Sequence, residues 1–205
     1  MPFAVKPRPC RKVSPAQERR LSSVSDALAI RDRYTDSHAR RVAAYAERLA
    51  RRLGLCEPEI EIVRTGGLFH DIGKLGFSDR TFSNADVKVS ADMQEEIRRH
   101  PTLGAFLLQD LNCVSPVLDC VHYHHERVDG KGYPFGLKLD EIPLSARIIS
   151  VADCFDAITT DRPYQKGKSP GDALTILREI KGKSLDPALV DAFCEEIEEN
   201  GTVAG

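Results

Sequence analysis

The stretch SHARRVAAYAERLARRLG, Ser37 to Gly54, decides the class of fold. Its apolar residues Val42, Tyr45, Ala46, Leu49, Ala50 and Leu53 follow the i, i+3, i+4, i+7, i+8, i+11 series that lines one face of a helix. Asp36 or Ser37 can cap its start, and Gly54 stands where a left-handed residue ends a helix. Outward from this stretch the same punctuation recurs. Pro58, Pro101, Pro116, Pro170 and Pro187 each sit where a helix would place proline at its first position, and Ser115, Ser169 and Asp186 are good caps. Between Pro143 and Thr160, the residues Leu144, Ile148, Val151, Ala152 and Phe155 share a face. Leu174, Leu177 and Ile180, then Val190, Phe193 and Ile197, do the same further on. No stretch alternates with period two between hairpin turns. The expectation is an all-α bundle of about seven or eight helices, interrupted by one glycine-rich loop, DGKGYPFGLKLDEI, at Asp129 to Ile142.

Composition narrows the function without naming it. The 205 residues carry 29 Lys plus Arg against 31 Asp plus Glu, a formal charge of −2, which argues against a DNA- or RNA-binding surface. No apolar run reaches the roughly 20 residues of a membrane span. Residues 1–20 hold Pro2, Pro7, Pro9 and Pro15 with Lys6, Arg8, Arg11, Lys12, Arg19 and Arg20, but no apolar segment of the kind a secretory leader needs. They read as a flexible basic tail, ahead of one domain over 21–200, in a cytoplasmic protein. Cys10, Cys56, Cys113, Cys120, Cys154 and Cys194 are scattered and fit reduced thiols rather than a disulfide framework.

Histidine is the informative residue. His70 and Asp71 are adjacent in GGLFHDIGK, and His100, His124, His125 and Asp153 also fall at ends or interiors of expected helices. Imidazoles with carboxylates and no thiolate suit iron, manganese, nickel or zinc better than calcium or a structural zinc cage. So many donors exceed one tetrahedral site and suggest two metals sharing a carboxylate, a recurrent device for phosphoester hydrolysis. His122, outside the HHE run, reads as structural or as a support for a ligand, and so does Glu126. Asp156, one turn after Asp153, is expected to orient Asp153 or to pair with Arg147.

HDIGK at His70 to Lys74 and HHERVDGKGYP at His124 to Pro134 together resemble the HD-GYP family of the HD-domain phosphohydrolases. The likeness begins at YTDSHARRVAAYAERLA, Tyr34 to Ala50, and continues through IPLSARIISVADCFDAITTDRPY, Ile142 to Tyr164. It implies an HD-domain helical bundle and a phosphodiesterase that opens cyclic di-GMP to linear pGpG, in some members on to GMP.

The resemblance also implies residue roles. It maps metal ligands onto His70, Asp71, His100, His124, His125 and Asp153, with Asp71 bridging, and adds His38, which binds metal in some members. Lys74 corresponds to a phosphate-contacting lysine, and Tyr133, Arg162 and Asp32 to substrate-contacting positions. Members with a third metal carry a glutamate where this chain has Tyr34, so two divalent ions are expected, Fe or Mn before Ni or Zn. A basic residue common after R-P-Y is Gln165 here. A water shared by two metals would have its pKa lowered towards neutrality, and the hydroxide would attack phosphorus beside Asp71 and Lys74. The alternatives are a phosphohydrolase of another nucleotide or a hybrid cyclic dinucleotide, or a non-catalytic module binding a dinucleotide or a signalling protein through the GYP loop.

Overall fold

The structure, a computed structural model, describes residues 33–78, 81, 90–110, 115–161 and 166–203. Among the described residues there are seven α-helices and no strand, only two isolated bridges. The helices are α1 Arg33–Arg52, α2 Glu57–Phe69, α3 Ala91–Asp110, α4 Ser115–Tyr123, α5 Leu144–Thr159, α6 Pro170–Ile180 and α7 Pro187–Asn200. A short 3-10 helix, Ile72–Gly76, follows α2, and another, Leu139–Glu141, precedes α5. None of the described helices is long and apolar enough to cross a membrane. The expected basic tail, residues 1–20, lies outside the described residues.

α5 is the centre of the bundle. It packs against α1, α2, α4, α6 and α7, so Ile148, Ile149, Val151, Ala152 and Phe155 are all buried and its apolar surface runs most of the way round. The stripe of α1 meets it through Tyr45, whose ring stands edge-on to Phe155 at 5.1 Å, and Phe193 of α7 completes an aromatic trio. The polar interruptions of this core helix, Asp153 and Asp156, therefore have to find partners inside the protein.

The caps largely follow the sequence. Ser169 accepts a hydrogen bond from the Asp172 amide, and Asp186 from those of Ala188 and Leu189. Gly54 has φ of +72°, a conformation that glycine adopts without strain. Three expectations shift. α1 is already helical at Arg33, ahead of the Asp36 or Ser37 cap, and Asp36 instead pairs with Arg40 one turn on. Leu53 falls just past the end of α1 and is exposed. Pro101 does not start a helix: it lies inside the 20-residue α3. A proline there lacks the amide that would bond to the carbonyl of Ile97, so the helix continues with one carbonyl free.

Gly73 explains how α3 comes close to the end of α2. A Cβ at this position would stand 1.9 Å from the carbonyl oxygen of His100 and 2.7 Å from the amide of Gly104. Only a glycine lets the turn after Asp71 press against α3. That contact brings His100 beside Asp71.

Candidate metal centre

Two groups of donors face each other across Asp71. His38, His70 and Asp153 form one, and Asp71, His100, His124 and His125 the other, the ligating atoms of each group lying within 4.8 Å of one another. They come from five parts of the chain: α1, the end of α2, α3, the end of α4, and α5. The two oxygens of Asp71 divide between the groups. Oδ1 lies 3.3 Å from Nε2 of His100, whereas Oδ2 lies 3.4 Å from Nε2 of His70 and 3.7 Å from Nε2 of His38. His38 Nε2 is 3.2 Å from Oδ1 of Asp153.

The imidazoles are aimed by one local device. His70 Nδ1 donates to the carbonyl of Gly67 (2.8 Å), His100 Nδ1 to Ile97 (2.6 Å) and His124 Nδ1 to Val121 (2.8 Å), in each case three residues back. For His70 and His124 those carbonyls are free because a helix ends there. For His100, in mid-helix, the carbonyl is free because residue 101 is proline. With Nδ1 occupied as a donor, each ring presents Nε2 as a lone pair, the tautomer a metal takes.

The donors fit a divalent ion. Nε2 of His70 is buried without a hydrogen-bond partner, an atom that protein structure leaves unpaired at a cost of about 1–3 kcal/mol. Ligands held about 2.1 Å from one ion stand roughly 3.0–3.4 Å apart, close to the separations around Asp71. Burial pushes His100 down to about 4 against the pull of Asp71, and lowers His124 and His125, so these rings are neutral and available. Asp71 ionises below the usual carboxylate range: burial opposes this, but Lys74, His70 and His100 outweigh it.

The sequence profile of the HD domain family matches residues 22–189. The chain belongs to the HD domain family. By its HHERVDGKGYP segment it is of the HD-GYP type. It is similar to a cyclic di-GMP phosphodiesterase of Pseudomonas aeruginosa, with 41% identity over 171 residues, 83% of this chain and 41% of that protein. It is likewise similar to a 3′3′-cGAMP-specific phosphodiesterase of Vibrio cholerae, with 35% identity over 154 residues, 75% of this chain and 33% of that protein. The chain thus spans less than half the length of these relatives. Its fold is similar to that of a solved cyclic GMP-AMP-specific phosphodiesterase of V. cholerae, with a TM-score of 0.68 at 23% identity over 90% of this chain and 49% of that one.

In this HD domain His38 is supported differently from the other histidines. Its Nδ1 lies 2.7 Å from Oδ2 of Asp156, and Arg41 clamps the same carboxylate at 2.6 and 3.0 Å. Asp156 therefore serves His38 and Arg41. Its expected partner Arg147 instead joins Asp186, at 2.6 Å, because the two lie where α5 meets α7. Arg41 was legible only as the R of S-H-x-x-R, one turn after His38. Losing such a support typically weakens metal binding about 10–100-fold, so Asp156→Asn should lower metal affinity by that order, read by metal titration. An unchanged affinity would show that His38 needs no anchor.

Burial opposes a charge on His38, yet its hydrogen bonds to Asp153 and Asp156 prevail and raise the metal-free imidazole to about 9. A metal at Nε2 must displace that proton. Metal affinity should therefore climb from neutral pH towards about 9 and then level off, with proton release on binding as the second readout. The sign for folding is the reverse. His38 stabilises the metal-free fold below its ordinary value of 6.5 and loses that contribution as pH rises through about 9.

The GYP loop covers the His125 side. The ring of Tyr133 stacks on His125 at 4.8 Å with 26° between planes. Glu126 holds the loop by accepting from the amides of Phe135 and Leu137 at 2.7 and 2.9 Å. Gly132 is required for space: a Cβ would stand 2.4 Å from the amide of Arg127. His122 joins neither donor group. It meets Thr102 at 3.3 Å and stacks on Tyr123. Lys74 Nζ lies 2.5 Å from Oδ2 of Asp71. Asp32 and Arg162 lie outside the described residues, as do Gln165 and the side chain of Tyr34.

Proposed function

We propose that this HD domain is a metal-dependent phosphodiesterase that hydrolyses cyclic di-GMP to pGpG, with GMP as a further product. The observation that carries the reading is the division of the Asp71 oxygens between two histidine groups. His38, His70 and Asp153 would hold one divalent ion, and His100, His124 and His125 a second, with Asp71 common to both. Fe or Mn suits these donors best, with Ni or Zn next. When bound, such a pair supplies Lewis acidity to a phosphoryl oxygen and makes water nucleophilic near neutral pH.

The chain's own groups do the positioning. Asp71 and Asp153 stay ionised and balance cationic charge. Lys74, about a third exposed beside Asp71, faces a phosphate that reaches the centre and offsets charge growing on its equatorial oxygens. Tyr133, seated on His125, forms an aromatic wall that holds a ribose or base against the centre and excludes water. The leaving 3′-oxygen takes its proton from solvent.

The 35% identity to a 3′3′-cGAMP-specific enzyme favours a second reading, in which a hybrid cyclic dinucleotide is the better substrate. One experiment addresses both. Protein loaded with Mn or with Fe under reducing conditions is given cyclic di-GMP and 3′3′-cGAMP, and products are resolved by chromatography. Linear dinucleotide from cyclic di-GMP at the higher kcat/KM is the expected result. Preference for 3′3′-cGAMP would transfer the assignment to the hybrid. Binding of either without turnover would make the domain a sensor.

A further inference from the structure

We propose that Arg98 anchors the second, non-scissile phosphate of a cyclic dinucleotide, an assignment that rests on the reading of the site just given. A cyclic dinucleotide carries two phosphodiesters on opposite sides of its macrocycle. While one lies at the metal centre beside Lys74, the other needs a cation some distance away.

Several of the described arginines are committed to carboxylates. Arg41 is held by Asp156, Arg127 by Asp129 and Arg99 by Glu95. Arg98 has no carboxylate partner among the described residues. It is exposed, and its guanidinium lies over the Tyr133 ring, 5.4 Å from the centroid. That same ring stacks on His125, so Arg98 stands at the rim of the centre, one aromatic ring away from a donor.

The placement suits a phosphate. Two positions before His100, Arg98 leaves α3 on nearly the opposite face, since each residue turns the helix by about 100°. Its long stem brings the guanidinium back over Tyr133, where the cation–π contact holds the planar fork with no hydrogen bond to any of the described residues. That fork matches two phosphate oxygens at once, as a lysine ammonium does not.

The test is steady-state kinetics of Arg98→Ala and Arg98→Lys on cyclic di-GMP, 3′3′-cGAMP and cyclic di-AMP, with metal content and melting temperature measured alongside. Arg98→Ala should raise KM about tenfold, the scale of one lost charge-assisted contact at a solvated rim, with kcat changed less. The factor should be the same for every dinucleotide the wild type turns over, because their phosphates are alike and their bases differ. Arg98→Lys should recover part of it. Unequal factors would assign Arg98 to a base and overturn the proposal. So would an unchanged KM, or a joint fall in kcat and metal content, which would mean that Arg98 merely props Tyr133. A wild type that turns over none of the three overturns the proposed function and this assignment together. Normal wild-type turnover with an indifferent Arg98→Ala overturns this assignment alone.

Discussion

Replacing Pro101 by alanine is expected to make the metal-free protein more stable and the metal less tightly held. Proline inside a helix costs about 3 kcal/mol relative to alanine, through the lost amide and the clash with the carbonyl four residues back. Pro101 lies in the interior of α3, so its removal restores a bond to Ile97 and should raise unfolding stability by about 1–3 kcal/mol. Yet the Ile97 carbonyl is where Nδ1 of His100 is anchored, at 2.6 Å. A restored amide competes for it and loosens the ring that faces Oδ1 of Asp71. Metal affinity should then fall about tenfold or more, as when other supports of a ligand are removed. Denaturant melts of metal-free protein and metal titration read the two effects separately. If both quantities moved in the same direction, Pro101 would be a matter of helix stability only.

The larger effect on turnover is expected at Asp71. Changing it to alanine removes a carboxylate that faces both histidine groups, so metal affinity should fall by more than the roughly 10–100-fold of a supporting residue, and turnover should drop below detection. The fold should survive. The vacated space no longer holds a buried charge, and Lys74, about a third exposed, can turn its ammonium to solvent. Circular dichroism and melting of the metal-free variant separate loss of the centre from loss of structure. Substantial retained activity would show that the two groups work without a shared ligand.

Much of this was legible in the sequence because it is local. A stripe such as Val42, Tyr45, Ala46 and Leu49 declares both a helix and its buried face, and the caps at Ser169 and Asp186 declare where helices start. The donors were legible because histidines and aspartates rarely crowd a bundle interior without reason. What failed to show was tertiary. Nothing near Asp156 announces that it will meet Arg41, 115 residues away, rather than Arg147 on its own helix. Pro101 reads as a helix start because that is where proline usually sits; its use inside α3 depends on a bond from the neighbouring imidazole. Gly132 reads as a turn glycine, whereas the structure needs it for clearance. Arg98 carries no local signal at all.

The donors' positions along the chain have a consequence for the protein's lifetime. The outermost donors, His38 and Asp153, are 115 residues apart, and between them the centre gathers α2, α3 and α4 as well. In an unfolded chain these side chains are scattered, so an ion binds the native form almost exclusively and acts as a reversible cross-link. Mass action then adds about 2.7 kcal/mol to the fold at a free ion concentration 100 times the dissociation constant. Starvation for that ion would do more than idle the domain. It would raise the fraction of molecules open to proteases, turning metal supply into a control on how much of the protein persists.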